Sequence, residues 1–313
     1  MSESHEIKMT GKKHTDSEDS FVPPSLCSAC PRNCRADRIK SFGVCHSGWF
    51  PKVARAALHF GEEPCICGKN GSGAIFFSGC PLRCIYCQNY EISHVGFGKE
   101  ITIDRLSEIY LELLSMGAHN INLVTASHYI DAVLFSLRKK PDTVFVYNSS
   151  GYESVESIKR LNGKMDVYMP DYKYAYDALG KRYSAVSDYS SVALDALDEM
   201  YSQTGKPVFD ENGLLVHGVL VRHLVLPGHL QNSRKVIDIL SDRFGDRIVF
   251  SLMGQYTPMP SVARCAPINR PLKQEEYEEI CDYLSESELT LGYTQDLTSS
   301  DTQFIPAFDL TGV

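Results

Sequence analysis

Cys80, Cys84 and Cys87 stand in the stretch FFSGCPLRCIYCQNYEIS, residues 76–93, as C-x3-C-x2-C directly after an apolar run. Three thiolates on one short loop are a candidate ligand set for zinc or for an iron–sulfur cluster. A structural zinc site takes four closed ligands, commonly as two separated pairs, so His94 would have to complete it. Three thiolates can instead hold three irons of a cubane cluster and leave the fourth iron open, an arrangement suited to chemistry. A second group, CSACPRNCRADRIKSFGVC, places Cys27, Cys30, Cys34 and Cys45 as C-x2-C-x3-C-x10-C. Four thiolates close a tetrahedral zinc site and equally a cubane cluster. Cys65 and Cys67, as C-x-C, are too close for a usual chelating pair, and Cys265 and Cys281 read as core cysteines.

The bulk composition agrees with metal or redox chemistry. Eleven cysteines, an odd number, are a poor disulfide framework for a chain with neither a signal peptide nor an apolar stretch of membrane-spanning length. A cytosolic protein is the expectation. The net charge of -8 offers no basic footprint for phosphates, which argues against nucleic acid and for a small molecule or another protein.

The elements that must position these residues follow from the apolar pattern. Residues 1–24 are polar, mixed in charge, and read as a disordered tail; 25–72 read as a cysteine-rich N-terminal segment; 73–313 read as the core domain, with Gly71 and Gly73 as a hinge. Apolar runs at 74–79, 121–126, 143–148, 165–170, 216–228 and 247–253 alternate with helical patterns. In one of these, Leu106, Ile109, Tyr110, Leu113 and Leu114 recur at helical spacing and Gly117 is the expected cap. Six strands rich in Val, Ile, Leu and Phe imply parallel pairing buried on both faces, hence an α/β barrel or partial barrel. Chemistry in such folds collects beyond the C-terminal ends of the strands, where Cys80 follows the first of them.

CPLRCIYCQN resembles the C-x3-C-x-aromatic-C signature of radical S-adenosylmethionine (SAM) enzymes. GEEPCICGKNGSGAIFFSGCPLRCIYCQNYEIS, GAHNINLVTASHY, YNSSGY, VYMPDYKY and VRHLVLPGH extend the resemblance over about residues 27–310 to the PflX-like branch, related to pyruvate formate-lyase activating enzymes. The resemblance implies a partial (β/α)6 barrel and an oxidoreductase. Its cofactors would be SAM and a 4Fe-4S cluster on Cys80, Cys84 and Cys87, with an auxiliary cluster on the N-terminal quartet, where ligand type alone points to zinc. It implies that SAM chelates the open iron, and that an electron from a donor such as flavodoxin or ferredoxin splits the sulfonium to give a 5'-deoxyadenosyl radical that abstracts hydrogen. The target would be a glycyl radical enzyme; a small-molecule substrate is the alternative, and a zinc-binding interaction protein without SAM chemistry is another.

By the same resemblance Tyr86 meets the adenine. Where the activating enzymes carry a Gly-Gly-Glu-like turn for the SAM amino group, this chain has LVTAS, which offers Thr125 and Ser127. Asn148 and Ser149 fall near the SAM ribose or carboxylate, Asp171 near the cofactor, and Lys173 and Arg222 are the candidate catalytic cations. Each also has a plainer reading. Tyr86 and Met169 are core, Asp171 and Lys173 form an exposed ion pair, and Arg222, which interrupts an apolar run, has a structural carboxylate partner. His128, His223 and His229 are expected as satisfied barrel histidines.

Overall fold

The computed structural model describes residues 21–295, 297 and 306–313. The tail expected at 1–24 lies outside these residues except for its end, where Phe21 packs edge-on against Phe50 and Phe135. The strands are β1 (Lys52–His59), β2 (Ser72–Phe77), β3 (Lys99–Glu100), β4 (Asn120–Val124), β5 (Val144–Ser149), β6 (Val167–Pro170), β7 (Val208–Phe209), β8 (Leu215–Leu224), β9 (Val249–Met253) and β10 (Gly292–Thr294). The helices are α1 (Pro64–Cys67), α2 (Ile103–Ser115), α3 (Ile130–Ser136), α4 (Val155–Arg160), α5 (Asp177–Ser184), α6 (Tyr189–Thr204), α7 (Leu230–Arg243) and α8 (Gln274–Ser285).

The sheet runs β10-β9-β8-β6-β5-β4-β2-β1-β3, with β7 paired to β8. From β2 through β10 the neighbours on this path are parallel. The fold is therefore α/β with a largely parallel sheet. All residues of β2, β4 and β6 are buried, because helices cover the sheet and leave no solvated face on which a polar alternation could survive. In α2, Thr102 caps the first turn by accepting from the Arg105 N–H at 3.1 Å, and Leu106, Ile109, Tyr110 and Leu113 form the buried stripe. Gly117, φ +93°, follows the helix end in a left-handed conformation that favours glycine.

The structure departs from the expected division at 72/73. β1 pairs antiparallel with β2, and a Cβ on Gly73 would stand 2.9 Å from the Asn120 carbonyl oxygen. Residues 52–59 are thus part of the main sheet, and Gly73 allows close strand packing where a hinge was expected. The segment KVARAALH lacks the β-branched run that identifies the other strands; small alanines suit it because the C-terminal residues lie across it, with the Leu310 N–H bonding the Ala54 carbonyl and the Ala56 N–H bonding the Thr311 carbonyl.

Candidate active site

Beyond β2 the chain turns at Gly79, φ +83°, where a Cβ would collide with Ser47 Oγ at 2.1 Å and the Cys45 carbonyl at 2.7 Å. Only glycine fits there, and the turn sends Cys80, Cys84 and Cys87 into a cavity of about 240 Å³. Phe76, Val124, Asn148, Asp171, Arg222 and Met253, from the ends of six consecutive parallel strands or just beyond them, line the same cavity, so the sheet curves around it as a partial barrel.

One wall is sulfur. Burial pushes the Cys80 thiol up to about 12, against the opposing contact from the Arg83 N–H at 3.5 Å. Burial also raises Cys87, opposed by a hydrogen bond from Ser93. Cys84 Sγ accepts from Ser184 Oγ at 3.0 Å, and Ser184 Oγ is bonded to the Tyr174 hydroxyl, which meets the Tyr86 hydroxyl at 2.7 Å. Tyr86 lines the cavity and packs edge-on against Tyr174, Tyr183 and Tyr256, so its core role and its place in the site coincide.

The other wall is charged. Arg222 donates from Nε to Asp171 at 3.0 Å, from Nη1 to Glu62 at 3.0 Å and from Nη2 to Asn148 Oδ1 at 2.7 Å. Glu62 also accepts from Asn122 and Asn148. Lys173 pairs with Asp171. Burial raises the Glu62 carboxyl, with Arg222 opposing it. Burial would raise Asp171 as well, but Lys173 and Arg222 outweigh it and hold the carboxyl below its ordinary value. Burial would lower the Lys173 ammonium, yet Asp171 and then Cys84 hold it above its ordinary value. The Asp171–Lys173 pair, which the plainer reading put at the surface, is largely buried, with side-chain exposures of 14% and 17%.

Thr125 and Ser149 line the cavity too. Thr125 adopts φ +62°, uncommon for a β-branched residue, with its N–H on the Asn148 carbonyl. Ser127 does not line it: the chain leaves the strand at Val124, and Ser127 Oγ bonds Glu153 at 2.5 Å inside the core. His128, His223 and His229 also lie outside the cavity lining; His223 lies between the Tyr172 carbonyl and Ser233, and His128 meets the Ser78 carbonyl. Met169 is buried core. Cys65 and Cys67 are buried in α1, and Cys265 and Cys281 are half-buried against the core. Glu62, in the loop between β1 and α1, is the member of the site that sequence reasoning missed; the signal was a pair of glutamates, GEEP, ahead of a short apolar stretch.

Among the described residues, no set of three or more Cys, His, Asp or Glu side chains is drawn into a closed ligand sphere. The donor chemistry of the cavity nevertheless fits a cluster bound by three thiolates. The three sulfurs share one wall, and a buried thiolate persists there only beside a compensating cation. His94 does not supply a fourth donor to that wall: its ring stacks on Tyr90, its Nδ1 bonds Ser93, and it lies outside the cavity lining. Ser150 Oγ, on the cavity lining, is buried without a hydrogen-bond partner among the described residues, as suits a polar group that meets a ligand.

No family model matches the chain. An uncharacterized protein of Methanocaldococcus jannaschii is 29% identical over 281 residues, 85% of this chain and 76% of that protein. The UPF0026 protein slr1464 of Synechocystis is 28% identical over 130 residues, 42% of this chain and 43% of that protein. Among solved structures, Streptococcus suis SuiB bound to S-adenosylmethionine superposes with a TM-score of 0.46 at 13% identity, over 71% of this chain and 49% of SuiB, so the chain spans about half of SuiB's length. A radical SAM methyltransferase from Sphaerobacter thermophilus gives 0.49 at 14% identity, over 72% of this chain and 66% of its own. No helix among the described residues is long and apolar enough to cross a membrane.

Proposed function

We propose that the chain is a radical SAM enzyme in which Cys80, Cys84 and Cys87 hold a 4Fe-4S cluster and the cavity beside them holds SAM. The observation that carries this reading is the C-x3-C-x2-C loop at the C-terminal end of the first parallel strand, its three sulfurs lining one cavity with a charged wall. Such a cluster, once reduced by an external electron donor, would supply the electron that splits the sulfonium of SAM into methionine and a 5'-deoxyadenosyl radical.

The chain's own residues divide the binding work. Arg222 has already directed three of its five N–H donors to Asp171, Glu62 and Asn148. It therefore fixes the charged wall as a positioning residue, while Lys173, bonded to Asp171 and close enough to Cys84 to feel its charge, carries the donors that remain for a carboxylate. Tyr86 and Thr125 line the cavity in which the ligand would sit.

The test is anaerobic reconstitution with iron and sulfide, followed by dithionite and SAM. A brown protein that forms 5'-deoxyadenosine, and a Cys84→Ala variant that does not, are expected; a colourless zinc protein, or 5'-deoxyadenosine from the variant, defeats the reading. A glycyl radical enzyme that co-purifies and gains a backbone radical would place the abstracted hydrogen on protein. Turnover without such a partner places it on a small molecule.

A further inference from the structure

Cys27, Cys30, Cys34 and Cys45 take no part in the cavity, yet the chain around them is organised as if to hold something. Residues 21–51 form no helix or strand. Irregular stretches beyond about 12 to 15 residues are uncommon unless something specific holds them. Burial in this stretch centres on sulfur: Cys27, Cys30 and Cys45 are buried with Ala29 and Trp49, while Leu26, Ile39, Phe42 and Val44 are exposed. The cysteines are free thiols, so no disulfide supplies the staple.

The backbone bends around three of the four sulfurs in a repeated way. Backbone N–H groups lie near enough to three of the sulfurs to favour a thiolate there, Arg32 to Cys30, Ala36 and Val44 to Cys34, and Ser47 to Cys45. Positive φ at Asn33, Arg35 and His46 makes the turns that allow this. A thiol is a weak acceptor, so these N–H groups gain most when the sulfur is a metal-bound thiolate. Arg38 adds a cation, its Nη1 standing 3.7 Å from Cys27 Sγ. Gly43 sits between two of the sulfurs, where a Cβ would meet Cys34 Sγ at 3.3 Å and Cys45 Sγ at 3.4 Å.

The segment is fastened to the catalytic loop. The Cys80 N–H bonds the Cys45 carbonyl at 3.3 Å. Arg32 donates to the Pro81 carbonyl at 2.9 Å, the Ser184 carbonyl at 2.9 Å and the Ala185 carbonyl at 2.7 Å.

We propose that Cys27, Cys30, Cys34 and Cys45 hold a second, closed thiophilic centre, a zinc ion or a cubane iron–sulfur cluster, which folds residues 27–51 and thereby braces the loop that carries Cys80, Cys84 and Cys87. Four thiolates complete either centre and leave no position for a substrate, so its role is to shape the chain. It does not depend on the SAM reading.

The experiment uses the full chain carrying Cys80→Ala, Cys84→Ala and Cys87→Ala together, which removes the first donor set. Purified without oxygen and reconstituted, this variant is expected to retain about one zinc per chain or about four irons with a visible charge-transfer band. Adding Cys34→Ala should remove that metal and open residues 27–51 to limited proteolysis. Retention of less than a fifth of an equivalent by the triple variant overturns the proposal, as does metal that Cys34→Ala leaves in place. Disulfides among the four cysteines, found by alkylation and mass spectrometry of the anaerobic protein, overturn it as well. Failure of the SAM reading would show differently, as absence of 5'-deoxyadenosine from wild-type chain whose N-terminal metal is intact.

Discussion

The two walls of the cavity are built on opposite principles. The sulfur wall belongs to a loop outside the strands, and its three thiols make few bonds that the fold needs. The charged wall is part of the fold: Arg222 on β8, Asn148 on β5, Asp171 just beyond β6 and Glu62 from the β1–α1 loop are bonded to one another across as many as 160 residues of sequence. A charge removed from that network leaves others buried and unpaired, whereas a thiol removed from the loop costs a ligand. Function and stability should therefore separate between the walls.

The largest effect expected is on chemistry alone. Cys84→Ala should lower 5'-deoxyadenosine formation below detection, a loss of at least about a thousandfold if the donor is essential, while thermal unfolding moves by no more than a few degrees. Ser184 loses a hydrogen-bond acceptor in that variant, the one tie between this sulfur and α5. A large fall in melting temperature would show that the sulfur wall is structural after all.

Arg222→Leu is the converse. It strips the counter-charge from Glu62 and leaves Asp171 with Lys173 alone, and breaking a buried pair in this way costs about 3 to 5 kcal/mol, to be read from urea unfolding. A variant as stable as wild type or more so would mean that the desolvation of Arg222 exceeds its Coulomb gain. Lys173→Met comes next: Asp171 keeps Arg222, so stability should change little, but SAM should bind about tenfold or more weaker, the worth of one charge-assisted hydrogen bond. Equilibrium binding to the reconstituted protein checks this, and unchanged affinity removes Lys173 from the ligand contacts.

How much of this was legible in sequence follows the same division. The sulfur wall is local, three cysteines within eight residues after an apolar run, and β2, β4, β5, β6, β8 and β9 announce themselves by Val, Ile and Phe. The charged wall is long-range, so Arg222 was visible as a charge in an apolar run while its partner Glu62 was not. Thr125 and Ser127, two apart, would face the same way on a continuing strand; the strand ends at Val124 and the turn at Thr125 sends only one of them to the cavity. β1 was lost because alanine does not announce a strand, and β10 because it is three residues long.

The smallest effect expected concerns pH and lies just behind the charged wall. His223, next to Arg222, is fully buried, with Nδ1 on the Tyr172 carbonyl, so that this nitrogen carries the proton and Nε2 accepts from Ser233. Burial pushes its pKa down to about 4, with Lys173 adding to the fall and the Tyr172 carbonyl opposing it. In the unfolded chain an imidazole titrates near 6.5, so below that pH the unfolded state takes up a proton that the native state refuses. The native state should lose stability as pH falls from about 6.5 towards about 4, by about 1 kcal/mol between pH 7 and 5.5. His223→Leu removes the titrating group and should be less stable at pH 7, because the Tyr172 carbonyl and Ser233 lose a partner, yet its stability should fall less over the same interval. Urea midpoints at the two pH values measure both slopes. If the variant's slope equals that of wild type, His223 exchanges its proton without cost, and its burial does not shift its titration.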